Sequence, residues 1–260
     1  MSTETGLPWA ERAFGKDDAD TLRSVVKDAL IAACVQSQDA QDASRSRRLD
    51  PFGHSLWPLQ FQELADRIVE KMPGKHRLER LEGHSLAIID GYVLYPVRSA
   101  QPKEKAKNGM VHKPVSKTRR RIFAAIGPEP QQEGLWALPS ADEVAKDMRT
   151  LLKRLGPNSR LVVISYVCEY RPGLTDVFWG EAELDFQDGS LDFHDGEVLS
   201  LASTTSADAR QQAVRREADR HSKAFSSGDV PEIPLGTNPS HQRPITEAEP
   251  SQPQTDDEKG

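Results

Sequence analysis

The sequence lacks the short motifs that identify several classes of enzyme. It has no C-x-x-C, no H-E-x-x-H, no G-x-x-x-x-G-K-[ST] and no G-x-G-x-x-G. These patterns supply zinc ligands, a phosphate-binding loop or a dinucleotide-binding turn. "GHSL" occurs at 53–56 and 83–86, but neither copy has the second glycine of a G-x-S-x-G nucleophile elbow. Zinc, P-loop, dinucleotide and serine hydrolase chemistries therefore have no support in the sequence.

Cysteine and long apolar runs are also scarce. The two cysteines, Cys34 and Cys168, lie among apolar neighbours, which predicts buried thiols in a reducing compartment. No apolar run reaches the length of a membrane-spanning helix. The N-terminal sequence also lacks a basic region followed by an apolar stretch. We therefore expect a cytoplasmic protein that does not enter a membrane.

Acidic residues outnumber basic ones, with 40 Asp and Glu against 34 Lys and Arg and a net charge of -6. A chain of this charge has no general attraction to nucleic acid or anionic membranes. The segment 103–121 is the exception, because it contains eight Lys or Arg and one Glu. It lacks aromatic side chains on which bases could stack. Its cations are candidates for contact with nucleic-acid phosphates, and those we select are Lys113, Lys117, Arg119, Arg120 and Arg121.

Apolar residues at helical spacing predict three helices. The first covers 18–36 and is followed by a polar loop or fraying helix end. The second covers 58–72, with Pro58 in its first turn. The third has the strongest signals, because Ser140 and Glu143 form a capping box and Gly156-Pro157 stops the helix.

Strand patterns surround the third helix. Residues 160–170 are almost continuously apolar, which is typical of a central strand covered on both faces. Residues 176–186 alternate and predict a half-exposed strand. We also expect a strand at 120–127 and a small meander with tight turns at Asp188-Gly189 and Asp195-Gly196.

The segment "SLAIIDGYVLYPVR", 85–98, places an acid between two strand-like runs. Asp-Gly is favoured in a type I′ turn, where both central residues need positive φ. We therefore predict that Asp90 is the corner of a hairpin. The alternative is a catalytic carboxylate at this position.

Together these patterns predict an α+β fold with N-terminal helices, a β-hairpin, one capped amphipathic helix and a mostly antiparallel sheet. We expect a flexible N-terminus at 1–14 and a single domain at 15–203 that carries a basic loop at 99–121. The tail at 204–260 is polar and later rich in proline, which predicts weak helix followed by disorder.

Two classes of function remain open. The first is a non-catalytic cytoplasmic interaction or regulatory protein, which has an unknown protein partner and needs no cofactor. Its basic loop could also contact nucleic-acid phosphates. The alternative is a divergent metal-dependent nuclease that uses Mg²⁺ and a carboxylate cluster on the C-terminal strands, with Glu169, Arg171, Glu181 and Glu183 as its candidate catalytic residues.

The acids at 181, 183 and 185 share one strand face and could gather a cation together with Asp176 or Glu169. A solvated outer face is the simpler explanation of this pattern. Many nuclease sites also place a Lys two residues after an acid, and here that spacing occurs only at Asp257 and Lys259, in the tail. The interaction protein is therefore the favoured hypothesis.

Overall fold

A six-stranded mixed sheet, in the order β1-β2-β3-β4-β5-β6, forms the centre of the computed structural model. The structure describes residues 7–100, 105–111, 114–128 and 149–201, all within one unit, Met1–Asp219. The strands are β1 His76–Leu81, β2 His84–Ile89, β3 Tyr92–Arg98, β4 Arg160–Glu169, β5 Gly173–Leu184 and β6 Leu191–Val198. The helices are α1 Trp9–Phe14, α2 Lys16–Ser44, α3 Asp50–Lys71, α4 Lys117–Ile126 and the helical residues 149–155, here called α5.

Neighbouring strands are antiparallel except β3 and β4, which run parallel. A parallel pair requires a crossover connection, and α4 and α5 lie in the segment that makes it. The structure therefore confirms the predicted α+β fold with a mostly antiparallel sheet. The capping box at 140–143 and the tail at 204–260 lie outside the described residues.

Both faces of β4 are covered, as its continuous apolar sequence predicts. Val162 and Ile164 belong to a buried cluster with residues of α2 and α3. Leu161 and Val163 belong to a second cluster, on the other face, with residues of α4 and α5. The sheet therefore lies between two helical layers, and β4 is the strand on which both layers pack.

The hairpin at Asp90 is confirmed. Asp90 and Gly91 have φ of 49° and 82°, and Ile89 lies opposite Tyr92. Both central residues are thus in the left-handed region that a type I′ turn requires. Glu82 and Gly83 form a second turn of the same kind, with φ of 47° and 88°. This second turn joins β1 to β2 and was not predicted.

Three predicted elements differ from the observed ones. The first helix continues to Ser44, because Gln38 and Gln41 are buried and bind backbone carbonyls instead of entering a loop. The second helix starts at Asp50, so that Pro58 lies inside it. Residues 120–127 are not a strand: they belong mainly to α4, whose N-cap Ser116 accepts a bond from the Arg119 amide.

The C-terminal strands also differ from the prediction. Asp188-Gly189 lies in the turn between β5 and β6, whereas Asp195-Gly196 lies inside β6. The β5 strand is buried on both faces at 177–179. Phe178 packs on one face with Ala106, Val167 and Phe193, and α1 covers the other face, which carries Trp179. The rings of Trp9 and Phe14 lie 5.2 and 5.8 Å from the Trp179 ring. Residues 9–14, which the sequence assigned to a flexible N-terminus, thus form a helix that packs on β5.

The expectation of two free thiols is wrong as well. Cys34 of α2 and Cys168 of β4 form a disulfide that joins residues 134 positions apart. Both side chains are almost completely buried, at 2% and 1% exposed. The bond fastens the helical layer to the central strand, and it removes the argument that the cysteines gave for a reducing compartment.

Replacing Cys34 and Cys168 together by alanine is expected to lower the free energy of unfolding by about 2–5 kcal/mol, because the unfolded chain gains the freedom that the long closed loop denies it. Urea unfolding followed by circular dichroism measures the change. Wild-type protein in reductant is the matched control, since it keeps both side chains and loses only the bond. Equal stability of oxidised and reduced wild-type protein would contradict the expectation.

Candidate functional site

Strands β2 and β3 separate soon after their hairpin. Three residue pairs join them, ending at Ala87 opposite Leu94. Beyond that point β2 stays paired with β1 as far as His84, and β3 stays paired with β4 as far as Arg98. Pro96 lies in the separated part of β3 and has no N–H, so it adds no unpaired donor there.

Aromatic side chains occupy the region between the two strands. The Phe61 ring of α3 stacks on His84 of β2 at 4.7 Å and lies 5.5 Å from the Tyr95 ring of β3. Trp57, one helical turn before Phe61, lies 5.4 Å from both Phe61 and His84. Phe123 of α4 lies 6.3 Å from Tyr95. We call these five residues the aromatic cluster.

Arg119 enters the aromatic cluster from α4. Its guanidinium carbon lies 5.5 Å from the centre of the Trp57 ring, and the residue is 7% exposed. Burial raises the pKa of Tyr95, and the positive charge of Arg119 opposes this rise. Within the described part of the chain, no carboxylate forms an ion pair with Arg119, and its buried Nε has no acceptor. The guanidinium is therefore held by the Trp57 face and the Tyr95 hydroxyl rather than by an anion.

Trp57 and His84 form the outer side of the cluster. Trp57 is 37% exposed, and its Nε1 donates a hydrogen bond of 3.0 Å to His84 Nε2. His84 Nε2 must therefore be unprotonated in this arrangement. Burial lowers the pKa of His84, and the Glu82 carboxylate opposes that effect. The ring is thus kept neutral where the cluster meets solvent.

The cations predicted to contact phosphates form α4 rather than an open loop. Lys117 is exposed, whereas Arg119 is buried in the cluster. Arg120 lies over the Phe186 ring at 5.5 Å and donates to the Val115 carbonyl. Arg121 donates to Glu82 at 3.3 Å. Thr118 also binds Glu82, so this carboxylate secures the start of the helix. Lys113 lies outside the described residues.

The four candidate residues of the alternative nuclease site lie in two separate places. Glu169 ends β4 opposite Gly173, and Arg171 lies in the turn between β4 and β5. Glu181 is eight residues further along β5, which corresponds to about 26 Å of extended strand. The structure therefore does not bring Glu169 and Glu181 together. Asp176, the other acid considered with them, accepts a bond of 2.8 Å from the Ala106 amide.

The two acids on β5 each have a basic neighbour. Glu181 accepts a bond of 2.6 Å from Arg160, and Glu183 lies 2.9 Å from His194. Among the residues that the structure describes, no three acidic, histidine or cysteine side chains gather as a metal site would require. These placements indicate structural ion pairs on a partly solvated strand face.

Comparison with protein-family models, curated proteins and solved structures finds no match to this chain. In the described ranges, no helix is both long enough and apolar enough to cross a bilayer. Sequence reasoning missed the aromatic cluster because its members come from separate elements. The second "GHSL" was its one local signal, and it is the histidine rather than the serine that takes part.

We expect His84 to titrate below the ordinary histidine value of about 6.5, because burial disfavours its charged form. As the pH falls below about 6.5, His84 becomes protonated in the unfolded chain before it does in the folded protein. The free energy of unfolding therefore decreases with falling pH until the pH reaches the lowered pKa of the folded protein. Proton NMR of the imidazole measures the pKa, with His84→Asn to assign the resonance. Trp57→Phe should raise the pKa, because it removes the donor to Nε2. A midpoint at or above 6.5 in the wild-type protein would contradict this account.

Proposed function

We propose that this protein is a non-catalytic interaction or regulatory protein that contacts nucleic-acid phosphates through α4. The observation that carries the proposal is the division of α4 into two faces. Ile122, Phe123 and Ile126 are buried, and Arg119 is buried with them. The opposite face therefore carries the remaining cations of the helix.

The cations of α4 other than Arg119 fall on one side of the helix, where Lys117 is exposed and Arg120 and Arg121 are half-buried. Lys117, Arg120 and Arg121 stand at i, i+3 and i+4, positions that neighbour each other on a helix surface. The first turn of α4 contains no acidic residue, so the positive end of the helix dipole adds to these charges. A phosphate backbone is the polyanion that such a surface suits, because each cation that neutralises a phosphate releases a counterion.

The placement of the acids supports a role without catalysis. A two-carboxylate metal site would need Glu169 and Glu181 to share a cation, but Glu169 lies opposite the start of β5 at Gly173 and Glu181 is eight residues further along β5. Glu181 is instead paired with Arg160. The cytoplasmic location expected from the sequence stays a prediction, since the disulfide does not favour it.

Replacing Lys117, Arg120 and Arg121 together by glutamine is expected to weaken binding to duplex DNA about equally for unrelated sequences. The slope of log K against log salt concentration, where K is the binding constant, should become shallower by roughly 1–3. Each lost phosphate contact removes about 0.9 from this slope. Fluorescence anisotropy over a series of salt concentrations measures both quantities, and circular dichroism checks that the variant is folded.

The matched control replaces Arg48, Lys71 and Arg171 by glutamine. These are exposed cations on other elements, so the control removes the same net charge. It should bind almost as the wild-type protein does. Equal losses in the two triple variants, binding that ignores salt, or no binding by the wild-type protein would each count against the proposal.

A further inference from the structure

We propose a second binding site, in which Arg119 binds the oxyanion of a small ligand whose flat apolar body stacks beside Trp57. This site is separate from the phosphate-contacting face of α4, because Arg119 lies on the buried side of that helix. The ligand class is a carboxylate or phosphate monoester attached to an aromatic ring or similar flat group.

The buried charge of Arg119 is the first reason to expect an anionic ligand. An arginine that is nine-tenths buried is ordinarily paired with an acid, because removing its charge from water is costly. In the described part of the chain Arg119 has the Trp57 ring and the Tyr95 hydroxyl beside it, and it forms no ion pair with an acid. Glu82, at the start of α4, is already engaged by Thr118 and Arg121. An anionic ligand supplies the charge that this site lacks.

The guanidinium and the rings beside it determine which ligand fits. The guanidinium is a planar set of donors that matches the two oxygens of a carboxylate or a phosphate. The Trp57 ring lies over it, and Phe61 packs between the rings of Trp57 and Tyr95, so apolar ring surface lies next to the guanidinium. An inorganic anion contacts the guanidinium alone, whereas a ligand with a flat apolar body also packs against the aromatic rings. The site therefore prefers an aromatic anion to inorganic phosphate.

Access to Arg119 is from the side of Trp57. Trp57 is the exposed member of the cluster, at 37%, and His84 beside it is half-buried. The Trp57 ring lies over the Arg119 guanidinium, so the buried charge is next to the exposed ring. The exposed residues His54 and Pro58 lie beside Trp57 on α3. The ligand enters at this ring, and its binding changes the surroundings of the Trp57 indole N–H, which now donates to His84.

Phenyl phosphate and benzoate are the probes that test this site, with benzyl alcohol as the neutral control and inorganic phosphate as the anion without a ring. NMR titration follows the Trp57 indole N–H, which Trp57→Phe assigns. Both aromatic anions should shift this resonance and bind at least about tenfold more tightly than benzyl alcohol or inorganic phosphate. The stronger of the two aromatic anions identifies the oxyanion that the ligand carries.

Arg119→Met removes the charge and keeps an apolar side chain, and it should weaken aromatic-anion binding at least about tenfold. Arg119→Lys keeps the charge but lacks the planar guanidinium, and it should bind the aromatic anions with intermediate affinity. If Arg119→Met does not fold, the affinity of Arg119→Lys tests the proposal in its place. The triple variant of Lys117, Arg120 and Arg121 should bind these small anions as the wild-type protein does. The two proposals are therefore tested separately, and a negative result for DNA binding does not contradict the small-anion site. Equal affinity for benzoate and benzyl alcohol, no shift of the indole resonance, or wild-type affinity in both Arg119 variants would overturn it.

Discussion

The early separation of β2 from β3 is the constraint on which the candidate site depends. Strand pairing ends at Ala87 and Leu94, yet both strands continue, each held by its other neighbour. The region between them must be closed by side chains, and Phe61 of α3 contacts a ring on each strand. Trp57 and Arg119 then pack outside Phe61 and Tyr95. A cation thus becomes buried among rings because the sheet does not close there.

The same geometry gives the basic segment two different roles. Residues 117–121 form the start of a helix, so neighbouring cations point in different directions. Arg119 faces the aromatic cluster, while Lys117 faces solvent. Glu82, in the turn between β1 and β2, receives bonds from Thr118 and Arg121. This contact ties α4 to the edge of the sheet and orients both of its faces. Local charge in a sequence therefore does not by itself identify a binding surface.

Features fixed by neighbouring residues could be predicted from the sequence, and features fixed by distant contacts could not. The Asp90-Gly91 hairpin and the apolar β4 strand carry their own local signals. The short run at 120–127 fits a helix or a strand equally well by its apolar residues, and its packing on the sheet decides for the helix. The β1 strand is charged, as suits an edge strand, and shows no clear alternation. The aromatic cluster and the disulfide join residues far apart in the chain, which no local pattern reveals.

A double-mutant cycle between Trp57 and Arg119 tests the central claim most directly. The free energy of unfolding is measured for the wild-type protein, Trp57→Leu, Arg119→Met and the double variant, without ligand. If the Trp57 face holds the buried guanidinium, the two substitutions should show a favourable coupling of about 0.5–2 kcal/mol. Additive effects of the two substitutions would contradict the account, because they would show that Arg119 is held by something other than the indole ring.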